Sequence, residues 1–351
     1  MNRRSFIGSL AAAALFQRQN TPRPVAQVKE GFITDVDGIK VGHFTELRRP
    51  TGCTVILYEK GAVAGVDVRG SAPGTRETDL LKPTNLVDKV NGIVLSGGSA
   101  FGLDSATGVM RFLEEHDAGF ATTAGKVPIV PAAILYDLNV GDGKIRPNAD
   151  SGYKSCLNAK AGPVEEGSVG AGAGATVGKI GGGKPMKGGV GTSSIRLSNG
   201  LVIGAIVAVN CAGDVIDNKT GKIIVGARTP DGKGFLNIVA GYRAGRGVTQ
   251  VPAPGQNTTI GVVATNARFD KTQMTKIAEM AHDGIARSIN PAHTPGDGDT
   301  LFAMSTGTAT IAANLTAVGA LAAEAVSEAI LRAVMKAKAL PGFQSYTDIS
   351  K

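Results

Sequence analysis

A chain of 351 residues with 42% hydrophobic content can bury a substantial core as one large domain or two smaller ones, which excludes general disorder. Trp is absent and aromatic residues are only 5%, so a stacking platform for single-stranded nucleic acid is excluded too. Half of the +8 formal charge comes from Arg3, Arg4, Arg18 and Arg23, and no dense basic run remains after them, which argues against nucleic acid as a partner. Cys53, Cys156 and Cys211 are widely spaced and odd in number, a pattern of neither a disulfide framework nor a zinc site.

In chain order, Asn2-Arg3-Arg4-Ser5-Phe6-Ile7-Gly8 and the apolar stretch from Ser9 to Phe16 read as a twin-arginine export leader, assigned to residues 1–26. The stretch is too short to span a bilayer, so no stable membrane anchor is expected and the protein is placed in the periplasm, or in the cytoplasm if the leader does not function. Phe32-Ile33-Thr34, Ile39-Lys40-Val41-Gly42 and Cys53-Thr54-Val55-Ile56-Leu57 read as strands joined by tight turns, and Ala62 to Val68 continues the pattern. Ile93-Val94-Leu95 precedes Ser96-Gly97-Gly98 and a helix from about Ala100 to Glu115.

Glycines crowd the region from Glu165 through Gly191, and the Gly170 to Ala175 core leaves room only for close approach of backbone or substrate. Gly178-Lys179 is followed by Ile180, without the Ser or Thr of a phosphate-binding loop. Leu201 to Val209 is a buried-strand candidate ending at Asn210. After the turn-rich Val251-Pro252-Ala253-Pro254-Gly255-Gln256 comes Asn257-Thr258-Thr259, leading straight into the apolar run Ile260 to Thr265. Asp270 and Gln273 match an N-cap and its capping-box partner for a helix through Ser288, and a second long helix covers about Ala317 to Ala337. The whole reads as layered α+β structure, buried sheets covered by helices.

A loop that feeds a buried strand presents Thr258 at the end of a sheet. Cleavage before it would give the threonine an α-amine with an ordinary pKa of about 8, able to take the hydroxyl proton without a catalytic histidine. His43, His116, His282 and His293 are accordingly read as structural. Asp297-Gly298-Asp299 puts two carboxylates two residues apart in an extended segment, pointing to one side. A calcium turn and a plain Asp-Gly hairpin are two readings; the third, favoured by the family resemblance given next, is that one carboxylate holds the Thr258 ammonium while the other fixes its hydroxyl or Lys179.

Several stretches resemble the DmpA family of self-processing aminopeptidases and nylon-oligomer hydrolases. They are Ile33 to His43, Gly70-Ser71-Ala72-Pro73-Gly74-Thr75-Arg76-Glu77-Thr78, Leu95 to Asp104, Gly167 to Gly172 and Asn257-Thr258-Thr259. The resemblance implies a four-layer αββα sandwich of the type shared with ornithine acetyltransferases. It also implies an autocatalytic cut between Asn257 and Thr258, giving chains 27–257 and 258–351 that stay together. Thr258 is then the nucleophile that forms an acyl-enzyme. The resemblance further points to Asn210 and Lys179 as oxyanion donors and to Tyr136 as the family tyrosine near the nucleophile. From the residues alone, Asn210 reads as a strand-end cap and Lys179 as a solvated loop charge.

Two departures concern the substrate. Aminopeptidases of the family resemble one another in carrying a glutamate two residues before the tyrosine, where this chain has Ile134, and a Ser/Glu pair where it has Asp297 and Asp299. An apolar residue cannot pair with a substrate ammonium. The expectation is therefore an amide hydrolase acting on small peptide-like or linear amides, 6-aminohexanoate oligomers among them. An aminopeptidase of the same family, an ornithine-acetyltransferase-like acyl transferase and an unprocessed binding protein are the alternatives. No cofactor or metal is expected, and the family resemblance implies a homotetramer of processed pairs.

Overall fold

The computed structural model describes residues 31–248 and 255–350, so the leader reading and the Val251 to Pro254 loop lie outside the described residues. Nine strands form one mixed sheet: β1 (Lys40–Thr45), β2 (Gly52–Val68), β3 (Thr75–Arg76), β4 (Lys89–Ser96), β5 (Ala132–Ile134), β6 (Gly189–Arg196), β7 (Val202–Asn210), β8 (Thr258–Thr265) and β9 (Thr300–Ser305). Their spatial order is β6-β7-β8-β9-β2-β4-β5-β3, with β1 on a further flank of β2. The main helices are α1 (Ser105–Glu115), α2 (Ala149–Leu157), α3 (Lys271–Ser288) and α4 (Leu315–Met335).

Strand β2 makes one sheet serve as two layers. It is a single 17-residue strand, where the sequence suggests two separate runs, and its pairing with β4 shifts register between Leu57 and Ala62. Residues of β2 before the shift alternate between two cores. Cys53, Val55 and Leu57 pack with α1 and α2, whereas Ile56 and Tyr58 face inward. After the shift Ala62, Ala64 and Val66 keep the inward face, and Val63 turns to the core under α3 and α4. The inner core joins Ile93 and Leu95 of β4 to Ile206, Ile260, Val262 and Phe302 of β7, β8 and β9. The layers are thus helix, sheet, sheet, helix, and period-2 alternation of apolar residues on both faces of the strands maintains all three interfaces.

Local signals explain the helices. Asp270 accepts from the Gln273 amide at 2.8 Å and Gln273 returns the bond at 3.0 Å, the capping box expected for α3. The helix expected from Ala100 begins as a 3-10 turn at Ser99–Asp104 and becomes α-helical at Ser105. Phe32-Ile33-Thr34 is not a strand: Ile33–Asp35 forms a 3-10 turn, because the Ile33 amide is held by the Thr192 hydroxyl at 2.8 Å rather than by a neighbouring strand. The Gly170 to Ala175 segment is crowded by backbone: a Cβ on Gly172 would lie 2.2 Å from the Val190 amide. Among the described residues no helix is long and apolar enough to cross a membrane.

Helix α3 sits on β2 at Gly65, where an added Cβ would lie 2.3 Å from the Thr275 nitrogen. Gly65→Ala is therefore expected to destabilise the fold by about 1–3 kcal/mol through forced displacement of the helix. Chemical denaturation measures this, and an unchanged unfolding midpoint would show that α3 yields without cost.

Candidate active site

Strand pairing assembles the site. Thr258 is the first residue of β8 and stands opposite Asn210, the last residue of β7. Both are buried, Thr258 3% exposed and Asn210 not at all. Alternation along β8 turns Thr258, like Ile260 and Val262, toward the space between the two sheet layers. Its hydroxyl donates to the carbonyl of Asn257, the peptide group just before it.

A second strand-like segment flanks that peptide. Asn257 and Asp297 form a parallel bridge, and the Gly298 amide donates to the Asn257 carbonyl at 3.0 Å. On its other edge the segment is held by Arg69, Gly70 and Ala72, whose amides donate to the carbonyls of Asp299, Asp299 and Asp297 at 3.0, 3.2 and 2.9 Å. Only glycine fits at 298: a Cβ there would lie 2.7 Å from the Ala72 carbonyl oxygen and 3.0 Å from the Thr258 hydroxyl.

The two carboxylates are buried, and the structure separates their partners. Asp299 Oδ1 accepts from the Thr259 amide at 2.7 Å, while Oδ2 accepts from His293, from its amide at 3.1 Å and its ring Nδ1 at 2.8 Å. Asp297 Oδ2 accepts from the Thr294 amide at 2.8 Å, and Asp297 Oδ1 is buried without a hydrogen-bond partner among the described residues. Burial, then the charge of Asp299, pushes the Asp297 carboxyl above the usual carboxylate range.

Lys179 is no solvated loop charge. Its ammonium donates to Asn210 O and Oδ1, each at 2.9 Å, and to Gln256 O at 2.8 Å. Three acceptors for three protons favour the charged amine, whereas burial pushes its pKa down to about 7. Asn210 is likewise more than a strand-end cap, for its Oδ1 also accepts from the Thr176 amide at 2.9 Å. Its Nδ2 donates to the Tyr136 carbonyl at 2.9 Å and reaches Gln256 O at 3.5 Å.

Tyr136 therefore meets the site through its backbone. Its hydroxyl donates to Asn139 Oδ1 at 3.0 Å, and Asn139 Nδ2 reaches the Gln256 side chain at 3.4 Å. Beneath it Asp137 is buried and bound by Arg49, by the Thr51 hydroxyl at 2.6 Å and by the Gly98 amide at 2.9 Å. Ile134 ends β5, a strand that passes close to β8, and is buried against Gly74, where a Cβ would lie 2.4 Å from Ile134 Cδ1. Among the described residues no group of three or more His, Cys, Asp or Glu is placed to hold a metal ion.

The sequence alone does not bring His293 to Asp299 or the Gly298 amide to the Asn257 carbonyl. The Asp-Gly-Asp pattern was a local signal for Gly298, but nothing near His293 announces that it turns back onto Asp299.

Residues 31–347 match the family described as Peptidase family S58. The chain belongs to this family. Its members hydrolyse peptide or related amide bonds, and this chain is such a hydrolase. An uncharacterized aminopeptidase of Mycobacterium tuberculosis is 43% identical over 345 residues, covering 90% of this chain and 97% of its own. A 6-aminohexanoate-oligomer endohydrolase of Paenarthrobacter ureafaciens is 31% identical, covering 85% and 84%. In fold, this S58 member is similar to the L-aminopeptidase D-Ala-esterase/amidase of Ochrobactrum anthropi, a variant of the Ntn hydrolase fold. The TM-score is 0.65 at 22% identity, with 91% of each chain covered.

Removing the Asp299 carboxylate would leave the buried amides of Thr259 and His293 without acceptors, at about 1–3 kcal/mol each. Asp299→Ala is expected to lower unfolding free energy by about 3 kcal/mol in a denaturant titration. A loss under about 1 kcal/mol would mean that these amides find other partners.

Proposed function

We propose that this S58 member cuts itself between Asn257 and Thr258 and then uses Thr258 as an N-terminal nucleophile on amide substrates. One observation carries the reading: the Thr258 hydroxyl lies against the Asn257 carbonyl, and the Gly298 amide holds that carbonyl oxygen at 3.0 Å. A nucleophile and an oxyanion donor thus address the same peptide group.

In the proposed first step Thr258 Oγ1 attacks the Asn257 carbonyl carbon and passes its proton to Asp297 Oδ1, an oxygen without a hydrogen-bond partner among the described residues, on a carboxylate made more basic by burial. The Gly298 amide stabilises the oxyanion. Collapse breaks the C–N bond, the proton goes to the departing Thr258 nitrogen, and an ester joins Asn257 to Thr258 Oγ1. Water hydrolyses the ester, leaving a carboxylate on Asn257 and a free α-amine on Thr258.

That amine becomes the base for substrate turnover, taking the hydroxyl proton as Oγ1 attacks the substrate amide and later giving it to the leaving amine. Gln256 O supports the assignment of the oxyanion donors. It engages both Lys179 Nζ and Asn210 Nδ2 in the uncut chain, and a cut that lets residues before Thr258 move away frees both donors for a substrate oxygen. Gln256 O then stands in for that oxygen.

We infer that the substrates are internal amides of peptide-like or linear oligomers, because the buried Ile134 near β8 offers no charge to a substrate ammonium. The P. ureafaciens relative, named for endohydrolysis of 6-aminohexanoate oligomers, supports this. The 43% identical relative, named an aminopeptidase, supports the second reading, release of N-terminal residues.

Purified wild-type protein is expected to contain two fragments, the smaller with Thr258 at its N-terminus by sequencing, whereas Thr258→Ala stays a single inactive chain. Amide hydrolysis by Thr258→Ala would overturn the mechanism. A matched pair of 6-aminohexanoate oligomers, one N-acetylated and one free, separates the substrate readings. The endo-acting enzyme turns both over within about tenfold, a difference worth about 1.4 kcal/mol, and complete loss on acetylation would establish the aminopeptidase instead.

A further inference from the structure

Asp299 owes its orientation to a residue outside the nucleophile, amide and lysine set. His293 has a backbone φ of +55°, a left-handed conformation uncommon for a residue with a Cβ, which persists where surroundings over-determine it. In that conformation its backbone amide and its ring Nδ1 converge on one oxygen, Asp299 Oδ2, at 3.1 and 2.8 Å. The other oxygen is thereby left to the amide of Thr259 at 2.7 Å, the peptide group that joins Thr258 to its own strand.

The ring is partly buried and packed as well as bonded. His293 Nε2 is buried and has no hydrogen-bond partner among the described residues, and the ring meets the edge of His282 at a centroid distance of 4.9 Å and 64°. His282 is fully buried in α3 and donates from Nε2 to the Asp67 carbonyl at 3.0 Å. It is a wall, fixed at its far end, against which His293 rests. A ring whose Nδ1 faces a carboxylate and whose Nε2 faces no acceptor carries its proton on Nδ1.

We propose that His293 is a positioning residue of the active site: by clamping Asp299 Oδ2 with two donors it fixes Asp299 Oδ1 on the Thr259 amide, and so sets the angle at which Thr258 is presented. The inference rests on Thr258 as nucleophile. It assigns His293 no contact with substrate and no proton transfer, only the geometry of the peptide behind the reacting hydroxyl.

Three substitutions divide the possibilities. Asn adopts left-handed backbone with little strain and places an amide N–H where His has Nδ1. Gln carries its N–H one atom further out, at the Nε2 position, and Gly accepts the backbone but has no side-chain donor. In full-length protein, assayed on whichever 6-aminohexanoate oligomer or aminoacyl p-nitroanilide the wild type hydrolyses, His293→Asn should hold kcat within about threefold. His293→Gln and His293→Gly should lose about thirtyfold or more in kcat with KM within about threefold, the scale of a small misplacement of a reacting group.

A Gly variant as active as wild type, an Asn variant as impaired as Gly, or a loss carried by KM would overturn the proposal. If the Gly variant fails to fold, the Asn and Gln contrast decides. Nitrogen NMR of the labelled ring reads the same geometry without activity: His293 should be protonated at Nδ1, and a bare Nδ1 would overturn the clamp. A wild type that neither cuts nor hydrolyses would refute the Thr258 reading, leaving this NMR result to stand or fall on its own.

Discussion

The bond from the Gly298 amide to the Asn257 carbonyl fixes where everything else at the site must be. It requires three backbone segments, Arg69 to Ala72, Asp297 to Asp299 and Asn257 to Thr259, to lie side by side at strand distance. Gly70 and Gly298 permit it, since a Cβ on Gly70 would fall 2.3 Å from both the Asp297 carbonyl oxygen and the Asp299 nitrogen. Once the segments are in place, β8 and β9 continue as a parallel pair from Ile260 and Thr300, and the two carboxylates are carried inward with them.

The electrostatics of the region rely on carbonyl dipoles more than on ion pairs. Lys179 binds three oxygens, and Lys187, fully buried, donates to Gly172 O, Ala175 O and Gly188 O at 2.8, 2.9 and 2.9 Å. Burial pushes the Lys187 amine down to about 7, as it does for Lys179. A buried cation is tolerated when every proton finds an acceptor. In the glycine-rich segment, backbone turns inward without side chains in the way, so the glycines supply acceptors as well as room. Ala175, one of the residues held by Lys187, precedes Thr176, whose amide binds Asn210.

Much of this architecture was legible because it follows hydrophobic period and capping. The runs ending at Asn210 and starting after Asn257 became β7 and β8, and Asp270 and Gln273 marked α3. Helix α2 carries no such signal for a physical reason: its buried face is Ser151, Gly152, Ser155 and Cys156, small residues rather than an apolar stripe. A Cβ on Gly152 would lie 1.9 Å from the Ser105 carbonyl oxygen, so close packing on α1, not hydrophobicity, selects the sequence. At the site, Thr258, Asn210 and the two aspartates were visible as types and positions. The division of work between Asp297 and Asp299 was not, because it depends on the left-handed turn at His293. Lys179 read as solvated because only tertiary structure brings Gln256 and Asn210 over it.

Strand order has a further consequence for the proposed cut. Strands β8 and β9 lie next to each other in the middle of the sheet, with β7 on one side and β2 on the other, and both neighbours belong to the N-terminal part of the chain. Helices α3 and α4 cover the same half from outside. A break before Thr258 therefore alters covalent connectivity while leaving an intercalated hydrogen-bond ladder. The pieces have no separable interface; parting them means opening the sheet. After such a cut the pieces would part only as fast as the whole domain unfolds, so brief dilution would not resolve them.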